Sequence, residues 1–201
     1  MDNFCFNRSM EKIKNVAVFC GSSAGSSPIY TREAIKLGKC LKEENYSLVY
    51  GGGSRGLMGA IAESTFNEGG EVIGVLPEIF NIPQVVRKDI YTKLYVKKDM
   101  HERKALMYEL ADAFIIMPGG IGTLDEFFEI FTWKQIGKHK KNIAIFNIEG
   151  FYNELLSFLK SVKEKGFVSE EVLSSLIVSD DANEIVSSLF SKEDELPLKI
   201  D

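Results

Sequence analysis

Short apolar runs and longer amphipathic stretches alternate along most of this 201-residue chain. Asn15–Gly21 (NVAVFCG) is a continuous β-branched and aromatic run ending in Gly-Ser-Ser, the pattern of a strand buried on both faces. From Ile29 to Asn45 the period changes, with Ala34, Leu37 and Leu41 at helical spacing. Ser47–Tyr50 reads as a second strand; a glycine-dense stretch and a helix over about 57–67 follow it. Glu71–Leu76 is a third strand, closed by Pro77. Residues 77–98 mix polarity and contain two prolines, so they read as a loop with a candidate strand at Tyr91–Val96. A helix over about 99–110 then leads to the strand Ala113–Met117. Next come a helix over Thr123–Ile136, a strand over Asn142–Asn147 and a helix over Gly150–Lys165. A short helix, a strand and a helix fit into 169–190.

This alternation predicts an α/β fold: a doubly wound, mostly parallel Rossmann-like sheet with helices on both faces. Ligands in such sheets bind at the carboxyl ends of the strands. No repeat, linker or low-complexity segment interrupts the pattern. The expected organisation is an N-terminal extension (1–13), one nucleotide-binding domain (14–190) and an acidic tail (191–201).

Composition narrows the picture by exclusion. A net charge of −5 supplies no global basic field, so nucleic acid is not an expected partner. No run approaches the ~18 apolar residues of a membrane span, and the N-terminus lacks the apolar core of a signal peptide. The expected location is cytoplasmic, without membrane association. Cys5, Cys20 and Cys40 are odd in number and lack CxxC spacing, indicating neither a disulfide framework nor a zinc site. Glycine is the informative residue: eight of the 17 fall within 51–59 and 119–122.

Pro118-Gly119-Gly120-Ile121-Gly122-Thr123 links a predicted strand to a predicted helix. Glycines there let backbone N–H groups face a ligand, and the helix start favours an anion, most naturally a phosphate. The bland alternative is a tight turn with Thr123 as N-cap and Glu126 closing a capping box. In the other reading, Glu126 stands one helical turn from a bound 5′-phosphate, within reach of the attached sugar.

Gly51-Gly52-Gly53-Ser54-Arg55-Gly56 contains a formal G-x-G-x-x-G, the dinucleotide fingerprint. It follows the second strand rather than the first, and Glu78 is a poor stand-in for the ribose-binding acid. Close approach of the backbone to a nucleotide, or to the neighbouring loop, is the better reading. In Asp99-Met100-His101-Glu102-Arg103-Lys104, Asp99 and Glu102 fit an N-terminal cap pattern, with Asp99 in the cap place. Arg103 and Lys104 then lie near the positive end of the helix, which suits residues facing an anion in the cleft. A solvated charged turn is the alternative.

FCGSS (19–23), YGGGSRGLMGAIA (50–62), MHERK (100–104), PGGIGTLDE (118–126) and FTWKQIG (131–137) follow one another in this order along the chain. In these motifs the chain resembles the family of cytokinin-activating phosphoribohydrolases, long mislabelled as lysine decarboxylases. The similarity spans about 14–190. The resemblance implies a Rossmann-like homodimer, without metal or organic cofactor, that hydrolyses the N-glycosidic bond of a nucleoside 5′-monophosphate such as AMP or an N6-modified AMP. It implies that Gly119, Gly120, Gly122 and Thr123 hold the phosphate and that Arg103 and Glu126 are the catalytic pair. Met100, Lys104 and Thr132 would line the site, with Ser22, Gly52 and Gly53 also binding substrate. Apart from Lys104, nothing suggests a Schiff-base lysine. Many plant members carry a Glu in the proline-containing loop where this chain has IPQVVRKDI, with Val85 near that place, and often an aromatic residue where it has Ile121. A non-catalytic nucleotide or molybdopterin-cofactor carrier on the same scaffold is the alternative function.

Overall fold

The computed structural model describes residues 13–191. Residues 1–12 and 192–201, which hold nearly all of the expected N-terminal extension and acidic tail, lie outside them.

Among the described residues seven strands form one sheet: β1 (Asn15–Phe19), β2 (Ser47–Tyr50), β3 (Val72–Pro77), β4 (Lys93–Lys97), β5 (Ala113–Ile116), β6 (Ile143–Phe146) and β7 (Leu176–Ser179). Their spatial order is β4-β3-β2-β1-β5-β6-β7, and every neighbouring pair is parallel. The sheet is wholly parallel because each connection is long enough to cross over it, and none is a hairpin turn. β2, β3, β5 and β6 bury every residue, as their continuous apolar runs require. β4 lies at the edge, half-exposed, with Lys93 and Lys97 at its ends to discourage pairing with another chain.

Because strand side chains alternate between faces, two apolar layers form. On one face Val16, Val18 and Leu48 pack with α1 (Pro28–Glu43), α2 (Gly56–Asn67) and α7 (Ala182–Ser188), through Leu37, Leu41, Ile61 and Ile185. On the other, Ala17, Phe19 and Val49 pack with α3 (Met100–Leu110), α4 (Ile121–Gln135), α5 (Asn153–Glu164) and α6 (Glu170–Ser174), through Met107, Phe127, Leu159 and Val172. Residues 77–98 contain two short 3-10 turns, Glu78–Phe80 and Lys88–Ile90, besides β4.

The chain steps from β1 outward to β4, and α3 then carries it back to β5 beside β1. This reversal opens a crevice at the carboxyl ends of β1 and β5. Two hydrogen bonds hold its floor: Gly21 N donates to Pro118 O at 3.0 Å, and the buried Tyr152 hydroxyl donates to Met117 O at 2.7 Å. Tyr152→Phe removes the second bond and leaves a buried carbonyl without that donor. Thermal unfolding should show Tm lowered by about 2–10 °C; an unchanged Tm would mean the bond does not support the crevice.

Candidate functional site

Helix α4 begins at Ile121, with Gly120 in the cap position and no side-chain cap. The expected start at Thr123 was too late, because the three glycines allow the backbone to enter the helix earlier. The Thr123 cap and the Thr123–Glu126 capping box therefore do not form. Thr123 is buried in the first turn with Oγ1 so close to Gly119 that a Cβ on Gly119 would overlap it. Glu126 is also buried and turns inward.

Its partner comes from α3. Asp99 caps this helix, accepting from His101 N and Glu102 N at 2.9 Å each. Glu102 completes no reciprocal box, since its carboxylate accepts from Lys98 N instead, at 3.3 Å. The cap sets Arg103 in the first turn, aimed into the fold and only 4% exposed. Arg103 Nη1 donates to Glu126 Oε1 at 2.7 Å, and Nε donates to Val75 O at 3.1 Å. The guanidinium thus ties α4 to the end of β3. Gly51 leaves the space for it, because a Cβ there would overlap Arg103 Nη2.

The pair lies in a cavity of about 460 Å3 along the carboxyl edge of the sheet. Gly120, Gly122 and Thr123 line it from the loop after β5, and Ser22 from the loop after β1. Gly53, Met100, Arg103 and Glu126 complete the expected residues brought together. Four others stand outside. Gly119 faces a smaller neighbouring cavity with Ser23, Tyr30 and Phe151. Gly52 adopts φ +76° and its carbonyl accepts from Tyr91 Oη at 2.6 Å, a conformation that shapes the loop. Thr132 is exposed on α4. Lys104 bridges Asp125 at 3.1 Å and Glu129 at 3.2 Å. The anions met by Arg103 and Lys104 are therefore carboxylates of α4, which explains two cations near the positive end of α3.

Sequence reasoning missed the remaining wall. Cys20, Met58, Leu76 and Phe80 line the cavity, as does Val85, noticed only as a departure from the family. Their signal was weak, since apolar residues at a strand end and in an irregular loop look like ordinary packing. Gly51 and Gly53 make the glycine stretch a wall of this cavity. Glu78 is exposed on its 3-10 turn, so the dinucleotide pattern lacks its acid here.

Burial pushes the Glu126 pKa up and the Arg103 charge pulls it down, with the net direction upward from the ordinary carboxylate range. Burial also raises the Cys20 thiol, helped by the nearby Glu126 carboxylate, so Cys20 stays protonated and unreactive. For Lys104, burial acts to lower the pKa, but hydrogen bonds to Asp125 and Glu129 outweigh it and raise the value. A clamped, protonated amine is unsuited to Schiff-base formation.

The family model described as "Possible lysine decarboxylase" matches residues 58–189. A cytokinin riboside 5′-monophosphate phosphoribohydrolase of Arabidopsis thaliana is 45% identical over 186 residues, covering 92% of this chain and 85% of that protein. A second Arabidopsis protein with that activity in its name is 41% identical over 92% of this chain and 84% of its own length. Among solved structures, the molybdenum cofactor carrier protein of Chlamydomonas reinhardtii superposes with a TM-score of 0.65 at 19% identity, covering 88% of this chain and 96% of that one. The last likeness establishes the fold.

Removing one member of the buried pair tests its electrostatics. Glu126→Leu strands the guanidinium and should cost about 3–5 kcal/mol in urea unfolding. Arg103→Met should cost less, because a lone buried carboxyl can take up a proton. The Arg103→Met/Glu126→Leu double variant should be more stable than Glu126→Leu alone; equal losses in all three would contradict an isolated buried pair.

Proposed function

We propose that this chain, which belongs to the family of cytokinin riboside 5′-monophosphate phosphoribohydrolases, hydrolyses the N-glycosidic bond of AMP or an N6-modified AMP, releasing the free base and ribose 5-phosphate. The observation that carries the reading is the Arg103–Glu126 pair, buried 2.7 Å apart between a glycine-lined helix start and an apolar recess.

The phosphate sits at the start of α4, where Gly120, Gly122 and Thr123 offer backbone N–H groups and a hydroxyl, with Ser22 opposite; Gly119 acts from behind, packed against the Thr123 hydroxyl. Glu126 then lies beside the ribose. Cleavage sends the electrons of the C1′–N bond onto the base, which takes up a proton, and leaves positive charge on C1′ and the ring oxygen. The carboxylate stabilises that charge and directs water to C1′. Arg103 fixes the carboxylate's orientation by its bonds to Glu126 and Val75 O. Met100 borders the base. Lys104 joins α3 to α4 and thereby positions Arg103.

Glu126→Gln should abolish turnover while leaving binding of the monophosphate nearly unchanged; near-normal turnover would refute the role. The ionised carboxylate is the working form, so activity should fall as pH drops through the Glu126 pKa. Since that pKa lies above the ordinary carboxylate value, the acid limb of kcat/KM should begin at higher pH than an exposed glutamate would give. An acid limb at or below the ordinary value would contradict this.

The protein acts as a homodimer in this reading. Ile121, Phe128 and Ile136 are exposed along one face of α4, and Thr132 shares that face. Light scattering at micromolar concentration should give twice the chain mass, and Phe128→Glu should give the monomer; a monomeric parent protein would refute the arrangement.

A further inference from the structure

The loop that enters α4 is held from behind through two successive carbonyl groups. Strand β5 ends at Ile116, and Met117 N still donates to Phe19 O at 2.9 Å. Met117 O then accepts from Tyr152 Oη at 2.7 Å, and Pro118 O from Gly21 N at 3.0 Å. These bonds fix both peptide planes immediately before Gly119. Gly119 in turn packs so closely on the Thr123 hydroxyl and Gly21 N that a Cβ there would overlap both. A rotation at Met117 is therefore passed on to Gly120 and Thr123, which line the cavity.

The turn after β6 is built to bring Tyr152 to that point. Asn147 Oδ1 accepts from Tyr152 N at 2.7 Å, and Asn147 Nδ2 donates to Asn153 Oδ1 at 2.8 Å. Between them, the 3-10 turn Ile148–Gly150 contains two successive left-handed residues, Glu149 at φ +50° and Gly150 at φ +71°. Glycine adopts this conformation freely, whereas glutamate does so at a cost that the surrounding contacts must outweigh. The Tyr152 ring is buried, where Phe would satisfy packing alone. A buried hydroxyl is tolerated only with a partner, and here that partner is Met117 O. Burial pushes the Tyr152 pKa up, so the hydroxyl stays protonated and donating at neutral pH. Tyr152 stands outside the residues that line the cavity, so any influence on substrate passes through Met117.

We infer that Tyr152 is a positioning residue for the 5′-phosphate. Its hydroxyl sets the Met117–Pro118 peptide and, through Gly119, the Gly120 and Thr123 groups that hold the phosphate. This role rests on the hydrolase reading above and adds a residue behind its phosphate site. Without the hydroxyl, the Met117 carbonyl loses a buried donor and its peptide turns toward another. The phosphate gains no charge as the C1′–N bond breaks, so its contacts serve substrate and transition state alike. Their weakening appears in KM rather than in kcat.

Tyr152→Phe in the full-length protein, assayed well below its Tm, tests the role. KM for the hydrolysed monophosphate, AMP or N6-(3-methylbut-2-enyl)-AMP, should rise about five- to tenfold, with kcat within about twofold of the parent. In calorimetry the Kd for ribose 5-phosphate should rise by the same factor. The Kd for adenosine, which lacks the phosphate, should stay unchanged. A lowered Tm with unchanged KM and unchanged ribose 5-phosphate affinity would make Tyr152 merely structural and overturn the role. Equal weakening of ribose 5-phosphate and adenosine would overturn it too, as would a parent protein that does not bind ribose 5-phosphate. If the parent binds both ligands but hydrolyses neither monophosphate, the hydrolase reading fails, and the two affinities still decide the role of Tyr152.

Discussion

A guanidinium and a carboxylate held 2.7 Å apart, both nearly sealed from solvent, constrain everything around them. Such a pair gives little net stability, because the cost of taking two charges out of water offsets their attraction. It persists only where geometry satisfies both partners. Here Asp99 starts α3 at the register that aims Arg103 inward, Val75 O receives its second bond, and Gly51 leaves room for it. Lys104 grips Asp125 and Glu129 on either side of Glu126. Two successive residues of α3 thus hold three of α4.

The glycines gain meaning from the same constraint. Those after β2 clear space for Arg103 and turn a carbonyl toward Tyr91, so their first task is to admit protein atoms. Those after β5 allow the helix to begin at Ile121, without a side-chain cap and at the edge of the cavity. One residue type answers two physical demands, close approach in one loop and an early, uncapped helix start in the other.

Much of this architecture was legible from residue order. Strands buried on both faces write continuous apolar runs, so β1, β2, β3, β5 and β6 were placed within a residue or two. The half-exposed β4 and its flanking 3-10 turns carry no clear period, which left 77–98 as a loop with a candidate strand. The glycine loop before α4 was visible because successive glycines between a strand and a helix are unusual. The Arg103–Glu126 contact joins residues 23 apart on different helices, and periodicity gives a residue's face without its partner. For the same reason Lys104 was expected beside substrate, whereas it faces α4, and Thr132 proved exposed.

The fold alone leaves the chemistry open, since a molybdenum cofactor carrier superposes on it. In the proposed reading the distinction rests on the Glu126 carboxylate, which would lie beside the sugar of a bound nucleotide. Product analysis after incubation with AMP and N6-alkyl-AMP tests this most directly. The account predicts free base and ribose 5-phosphate in equal amounts. Release of nucleoside and inorganic phosphate, or recovery of the nucleotide bound but intact, would contradict it.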